Sequence, residues 1–313
     1  MKTFDIDLVY LWCDGNDERF TQQKQERMRQ CGASITGNEN CRYIQIDELK
    51  YSLRSVAKYI PWIHHIFIVT YNQTPRWLKQ HEKVTIVDHS EIMPESALPC
   101  FNSQALECCL HHIPNLAEHF IYSNDDMFIG RKLKPSFFFD RKQRPIVLLK
   151  KCRLSNGLYD KTIIAAENYI EDLYGISYKG YVPHHNMDAY TKTILTECEK
   201  EFENAFHHTI HQPFRTESCM QRYLFHLYGL VKKQAILKDV SRTFLQRVMQ
   251  KLGMARTDSL VLNNHESLNP VISYHPALFC INDTERSTDE DRINTINFLE
   301  KRFPQKSPFE QDY

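Results

Sequence analysis

The sequence predicts an α/β fold: a mostly parallel sheet flanked by helices, with an additional helical segment in the C-terminal half. Three observations carry this. Strand-sized apolar runs alternate with amphipathic helical stretches over the first 130 residues, the pattern of βαβ units. The predicted strands each end in polar residues, which a parallel sheet gathers on one edge. Beyond residue 180 the periodicity turns mainly helical.

Taken in order, "FDIDLVYLW" (4–12) is the first strand and runs into Cys13-Asp14-Gly15-Asn16-Asp17. "YSLRSVAKYI" (51–60) places Leu53, Val56, Ala57 and Ile60 on one helical stripe. "HIFIVT" (65–70) is a strand; "PRWLKQH" (75–81) has proline at a first helical position. "VTIVD" (84–88) is the third strand, and "NSQALECCLHHI" (102–113) reads as a helix with an Asn or Ser cap. "HFIYS" (119–123) closes the series. Residues 131–162 predict strands and loops extending the sheet. Residues 186–207 and 216–252 predict helices, and 287–313 a capped helix with a polar tail. This divides the chain into an α/β core (1–135), a connecting region (136–180), a helical region (181–255) and a return to the core (256–313).

Composition excludes several classes. The chain has 313 residues, 42% hydrophobic and 25% charged, so it is globular and not disordered. A formal net charge of zero argues against nucleic-acid binding. No apolar run reaches the ~20 residues of a membrane span. Acids within the first apolar run argue against a secretory signal, and ten scattered cysteines without a CxxC fit reduced thiols. A cytoplasmic protein is expected. One segment adds to this: residues 231–256 hold seven Lys/Arg, including Arg242, Arg247 and Lys251, against one acid. There Phe244, Leu245, Val248, Met249 and Leu252 share a helical face, which either packs on the core or lies on an anionic membrane or polymer. The second alternative would make the protein peripheral at the inner face of the cell membrane.

Candidate chemistry gathers at the predicted strand ends. "HFIYSNDDMFIG" (119–130) sets Asp125 and Asp126 between apolar runs, where ionised carboxylates need hydrogen bonds, cations or metal. "LFCIND" (278–283) ends likewise in Asn282-Asp283, and such oxygen ligands suit Mg²⁺ or Mn²⁺. Ser103 and Glu107 are four apart and share a helix face behind Asn102. Arg54 and Arg215 are cations able to clamp an anion. In "YVPHHNMD" (181–188) paired histidines follow a proline; no HExxH-type motif accompanies them, which favours a general base over a metal ligand.

These stretches together resemble the Stealth family of sugar-1-phosphate transferases. The family includes bacterial capsule polymerases and the catalytic subunit of the animal N-acetylglucosamine-1-phosphotransferase. "DIDLVYLWCDGNDERF" is similar to its first block. The long stretch from "ELKYSLRSV" to "IYSNDDMFIG" is similar to the second, "YVPHHNMDAY" with "HQPFRTESCMQRYLFHLYG" to the third, and "FCINDTE" to the fourth. The resemblance implies a Rossmann-like, GT-A-like core. It implies transfer of a hexose-1-phosphate, an N-acetylhexosamine-1-phosphate by expectation, from a UDP-sugar to a saccharide hydroxyl in capsule or exopolysaccharide synthesis. It further implies Asp126 with Asp283 or Asn282 as Mg²⁺ ligands, Arg54 and Arg215 on the transferred phosphoryl group, and His184 as general base beside catalytic Asp125. Asn102, Ser103 and Glu107 would meet the donor sugar, and Asp14, Gly15 and Asp17 the nucleotide. A metal-dependent glycosyltransferase and a non-catalytic nucleotide-sugar binder stay open as alternatives.

Overall fold

The computed structural model describes residues 4–32, 38–155, 157–253 and 255–311. Its first half holds β1 (Ile6–Leu11), α1 (Glu18–Cys31), α2 (Glu48–Tyr59), β2 (Ile66–Thr70), β3 (Val84–Asp88), α3 (Ser103–Glu107), β4 (His119–Asn124), β5 (Met127–Ile129) and β6 (Ile146–Lys151). Next come α4 (Leu158–Tyr174), β7 (Tyr181–Pro183), β8 (Asp188–Thr191), α5 (Lys192–Glu201), α6 (Glu203–Ile210) and α7 (Tyr223–Val231). The chain closes with β9 (Ile236–Asp239), α8 (Phe244–Lys251), β10 (Ser259–Asn263), α9 (Asn269–Ser273), β11 (Leu278–Asn282) and α10 (Asp289–Arg302).

The central sheet has the order β3-β2-β1-β4-β8, parallel except for β8. Every residue of β1 is buried, as both-face coverage of a parallel sheet demands. Its side chains alternate: Val9 and Leu11 enter the core shared with α5 to α7, whereas Ile6, Leu8 and Tyr10 enter the core shared with α2. Each such side chain contributes about 1.5–3 kcal/mol on burial. Asp7 is tolerated between them because its carboxylate accepts from Ala117 N at 2.7 Å and pairs with His64 Nδ1 at 2.8 Å. Two three-stranded sheets, β10-β11-β5 and β7-β6-β9, are built around this one.

Several elements differ from expectation. Residues 75–81 are not helical: a turn at 76–77 leads into a bridge from Leu78 to Glu310, and the backbone pairs with the C-terminal tail, Lys79 N donating to Phe309 O at 2.8 Å and Gln311 N to Trp77 O at 3.0 Å. That tail, polar by sequence, is docked through buried Phe309. The helix expected over 102–113 stops at Glu107, and a 3₁₀ turn occupies Leu110–His112. Largely polar α1, capped by Asp17 and Gly32, was not anticipated. Within the segments expected to be helical lie β8 and β9, while β6 joins β7 and β9 and does not extend the central sheet. In α8 the apolar residues are not core: Phe244 is 83% exposed, Leu245 68% and Leu252 66%. The side chain of Lys251 lies outside the described residues. Among those residues no helix is long and apolar enough to cross a membrane, and all ten cysteines are free.

Candidate active site

Parallel pairing sets the C-terminal ends of β1, β2, β3 and β4 on one edge, and a cleft of about 250 Å³ opens beside it. Asp125 and Asp126 occupy the turn from β4 to β5. Ile281 N donates to Asp126 O at 3.1 Å, which ties this turn to β11 and brings Asn282 alongside.

The cleft has an acidic wall and a basic wall. On the acidic side Asp125 Oδ2 accepts from Gln45 Nε2 at 2.7 Å. Among the described residues Asp126 Oδ2 accepts only a weak donor, Cys280 Sγ at 3.4 Å, and its buried Oδ1 has no hydrogen-bond partner. Burial, then the neighbouring Asp125 charge, raises Asp126 to about 7. Burial raises Asp125 as well, and burial with Asp125 raises Glu48. Carboxylates so short of counter-charge fit a hard divalent cation, with Asp126, Asp125 and the Asn282 amide oxygen as the oxygen donors.

On the basic side Arg215 NH2 donates to Ser103 Oγ at 2.5 Å, and among the described residues no ion pair includes it. Arg222 reaches Glu107 Oε1 and Asp188 Oδ2 at 3.1 Å each, and its buried NH2 has no hydrogen-bond partner among the described residues. Burial disfavours the Arg222 charge, but Glu107 and Asp188 outweigh it and hold the guanidinium protonated. His185 completes the lining with a backbone φ of 53°. Burial, then Arg222, depresses its imidazole to about 3, so the ring is neutral at physiological pH.

Of the residues expected from sequence, Ser103, Glu107, Asp125, Asp126, Arg215, Asn282 and Asp283 line this cleft. Asp283 is ion-paired there, with Arg292 on both its oxygens at 2.7 and 3.3 Å. Two expected catalytic residues lie elsewhere. Arg54 is buried against the C-terminal segment, with its guanidinium on Glu310 at 2.8 Å, Glu300 at 3.1 Å and Phe303 O at 2.8 Å. His184 is buried between Asp188 Oδ1 at 3.1 Å and Ser259 Oγ at 3.0 Å; its neighbour His185 takes the cleft.

Asn102, Asp14, Gly15 and Asp17 shape the surroundings. Asn102 caps α3 and donates to Gln212 O and Phe214 O, which fixes the strap carrying Arg215. Asp14 Oδ1 accepts from Asn16 N, and Asp17 caps α1 through Phe20 N. Gly15 is required by close approach, since an added Cβ would lie 2.1 Å from Tyr43 O. That packing positions the segment supplying Tyr43, Gln45 and Glu48 to the cleft. Arg222, Gln45 and Glu48 were missed by sequence reasoning, which took His184 of the histidine pair where His185 lines the cleft. Arg222 had a signal, a cation before the apolar run "YLFHLYGLV"; Gln45, in an irregular loop, had none.

Stealth protein CR2, conserved region 2, matches residues 42–147, the stretch that contains Gln45, Glu48, Ser103, Glu107, Asp125 and Asp126. The chain is 34% identical to "Exopolysaccharide phosphotransferase CpsY" of Mycobacterium tuberculosis over 98% of its own length and 58% of that relative's. It is 33% identical to an exopolysaccharide phosphotransferase of Nocardia farcinica, over 98% of this chain and 61% of that one. Against exopolysaccharide phosphotransferase cps2G of Lactiplantibacillus plantarum it is 46% identical, over 45% of this chain and 41% of the other. The chain thus spans a little over half the length of the first two.

Proposed function

We propose that this chain, which matches Stealth protein CR2 over residues 42–147, transfers a sugar-1-phosphate from a nucleotide sugar to a saccharide hydroxyl in exopolysaccharide synthesis. One observation carries this reading. A single cleft sets counter-charge-starved carboxylates, Asp125 and Asp126, together with two guanidiniums, Arg215 and Arg222. That is the charge pattern a metal-bound diphosphate complements.

Asp126 with Asn282 would hold Mg²⁺ or Mn²⁺, which when bound neutralises phosphate charge. Arg215, oriented by Ser103, faces the transferred phosphoryl group. Arg222 stands behind it, kept charged by Glu107 and Asp188. The acceptor hydroxyl attacks the β-phosphorus of the donor, the bond from that phosphorus to the bridging oxygen breaks, and nucleoside monophosphate leaves. His185, neutral and at the cleft wall, takes the acceptor proton. The work is positioning and electrostatic stabilisation by fixed groups, the terms that dominate phosphoryl transfer.

Product analysis tests the reading. Incubation with a panel of nucleotide sugars and an oligosaccharide acceptor should release nucleoside monophosphate and form a phosphodiester. Release of nucleoside diphosphate would replace phosphotransfer by glycosyl transfer. Binding of a nucleotide sugar without turnover would reduce the protein to a binder.

A further inference from the structure

Away from the cleft, the 3₁₀ turn Leu110–His112 faces α5, and there His111, His112 and Glu199 converge. We infer that these three residues form a second metal site, built for a divalent transition metal of which Zn²⁺ is the best match. Their ligand atoms all lie within 4.8 Å of one another. His111 Nε2 is 2.7 Å and His112 Nε2 3.2 Å from the same Glu199 Oε2. Two imidazoles and one carboxylate on a common focus are the ligand set of a three-residue zinc site whose fourth position is taken by water.

The hydrogen bonding of His112 is one that a bound cation would complete. Its Nδ1 faces the Ile92 carbonyl at 3.2 Å while its Nε2 faces Glu199. A neutral imidazole has one N–H, so it can satisfy one of these two oxygens by hydrogen bonding. With Nδ1–H donating to Ile92 O, the Nε2 lone pair is turned toward a carboxylate oxygen, and a cation between them resolves the conflict. A backbone carbonyl holding the outer nitrogen of a ligating histidine is the usual support of such a site. The competing arrangement is an imidazolium bridging Ile92 O and Glu199 with no metal, and the experiment below separates the two.

The elements are firmly placed. His111 is buried, and α5 is anchored through buried Ile194, Leu195 and Cys198. None of the three residues lines the cleft. The metal would clamp the connection after α3 to α5 across 88 positions of sequence. Its effect would be on stability, scaling with the logarithm of metal over Kd.

The test uses the full chain stripped by a chelator and titrated with Zn²⁺ in excess Mg²⁺, added to compete for the oxygen-rich cleft. One equivalent should bind and raise the thermal midpoint. His112→Ala, at an exposed position, and Glu199→Gln should each weaken binding by at least ~100-fold and remove the thermal shift, with unchanged far-UV circular dichroism. The histidine pair His207 and His211, with ring centroids 4.2 Å apart, is the control, and His207→Ala should leave the titration unaltered. Absence of a bound equivalent, retention of it in both site variants, or its loss in His207→Ala would overturn the site.

Discussion

Arg215→Ala distinguishes catalytic from structural use of three arginines. The Arg215 guanidinium makes one side-chain hydrogen bond, to Ser103 Oγ, and takes part in no ion pair among the described residues. Its loss strands no acid, so stability should change by less than ~1 kcal/mol. If it stabilises charge on the transferred phosphoryl group, kcat/KM should fall by ~10²–10³, the ~2.7–4 kcal/mol of one fixed electrostatic donor. Arg222→Met should behave oppositely in stability. It leaves Glu107 and Asp188, both buried and each 3.1 Å from the guanidinium, without a counter-ion, at a cost of ~3–5 kcal/mol. Arg54→Met strands buried Glu310 and should cost a similar amount, with turnover per folded molecule retained. Initial rates of nucleoside monophosphate release, paired with denaturant unfolding of each variant, read both quantities. Wild-type kcat/KM in Arg215→Ala, or a normally stable Arg54→Met that has lost turnover, would refute the division of roles.

Three further outcomes are expected. His185→Ala should lower kcat by ~10²–10⁴ with donor affinity near wild type, whereas His184→Ala should cost ~1–3 kcal/mol of stability; exchanged phenotypes would return the base to His184. Asp126, raised to about 7 by burial and Asp125, binds more protons in the native than in the unfolded state between pH ~4 and about 7. Metal-free stability should therefore fall as pH rises through that window, and Asp126→Asn should flatten the fall while removing activity; an unchanged slope in thermal midpoint against pH would contradict the desolvated pair. The exposed face Phe244, Leu245 and Leu252 of α8 should bind anionic vesicles through Arg242 and Arg247, and Arg242→Glu/Arg247→Glu should abolish co-flotation at low salt; equal co-flotation of wild type and variant would leave the helix without that role.

How much was legible in the sequence follows from where each element's hydrogen bonds go. β1, β2 and β4 are paired on both sides within one sheet and are buried almost throughout, so a continuous apolar run announces each of them. Residues 75–81 pair with a segment some 230 positions away, and no local periodicity carries that information. The segment "DAYT" became β8 because β4 needed an antiparallel edge partner, from His119 opposite Thr191 to Tyr122 opposite Asp188. Local helical propensity lost to a sheet vacancy, a tertiary override that a local window does not contain.

The site was legible in its chemistry and less so in its membership. An Asp-Asp pair enclosed by apolar strands has to be under-solvated, and Asp125 with Asp126 proved so. The histidine choice turned on one backbone angle. At φ 53° His185 adopts the left-handed conformation, which breaks the strand alternation after Pro183. His184 therefore points to Asp188 and Ser259, and His185 to the cleft. A proline before two histidines announces rigidity without saying which ring faces the ligand. The arginines exchanged places for a similar reason: Arg54 found its acids in Glu300 and Glu310, in a tail whose docking no local pattern announces. Arg222, preceding an apolar helix, could be buried only against acids supplied by other elements. Those acids, Glu107 and Asp188, keep the cation charged within the cleft, so the burial that hid Arg222 from sequence reasoning also holds it in place for an anion.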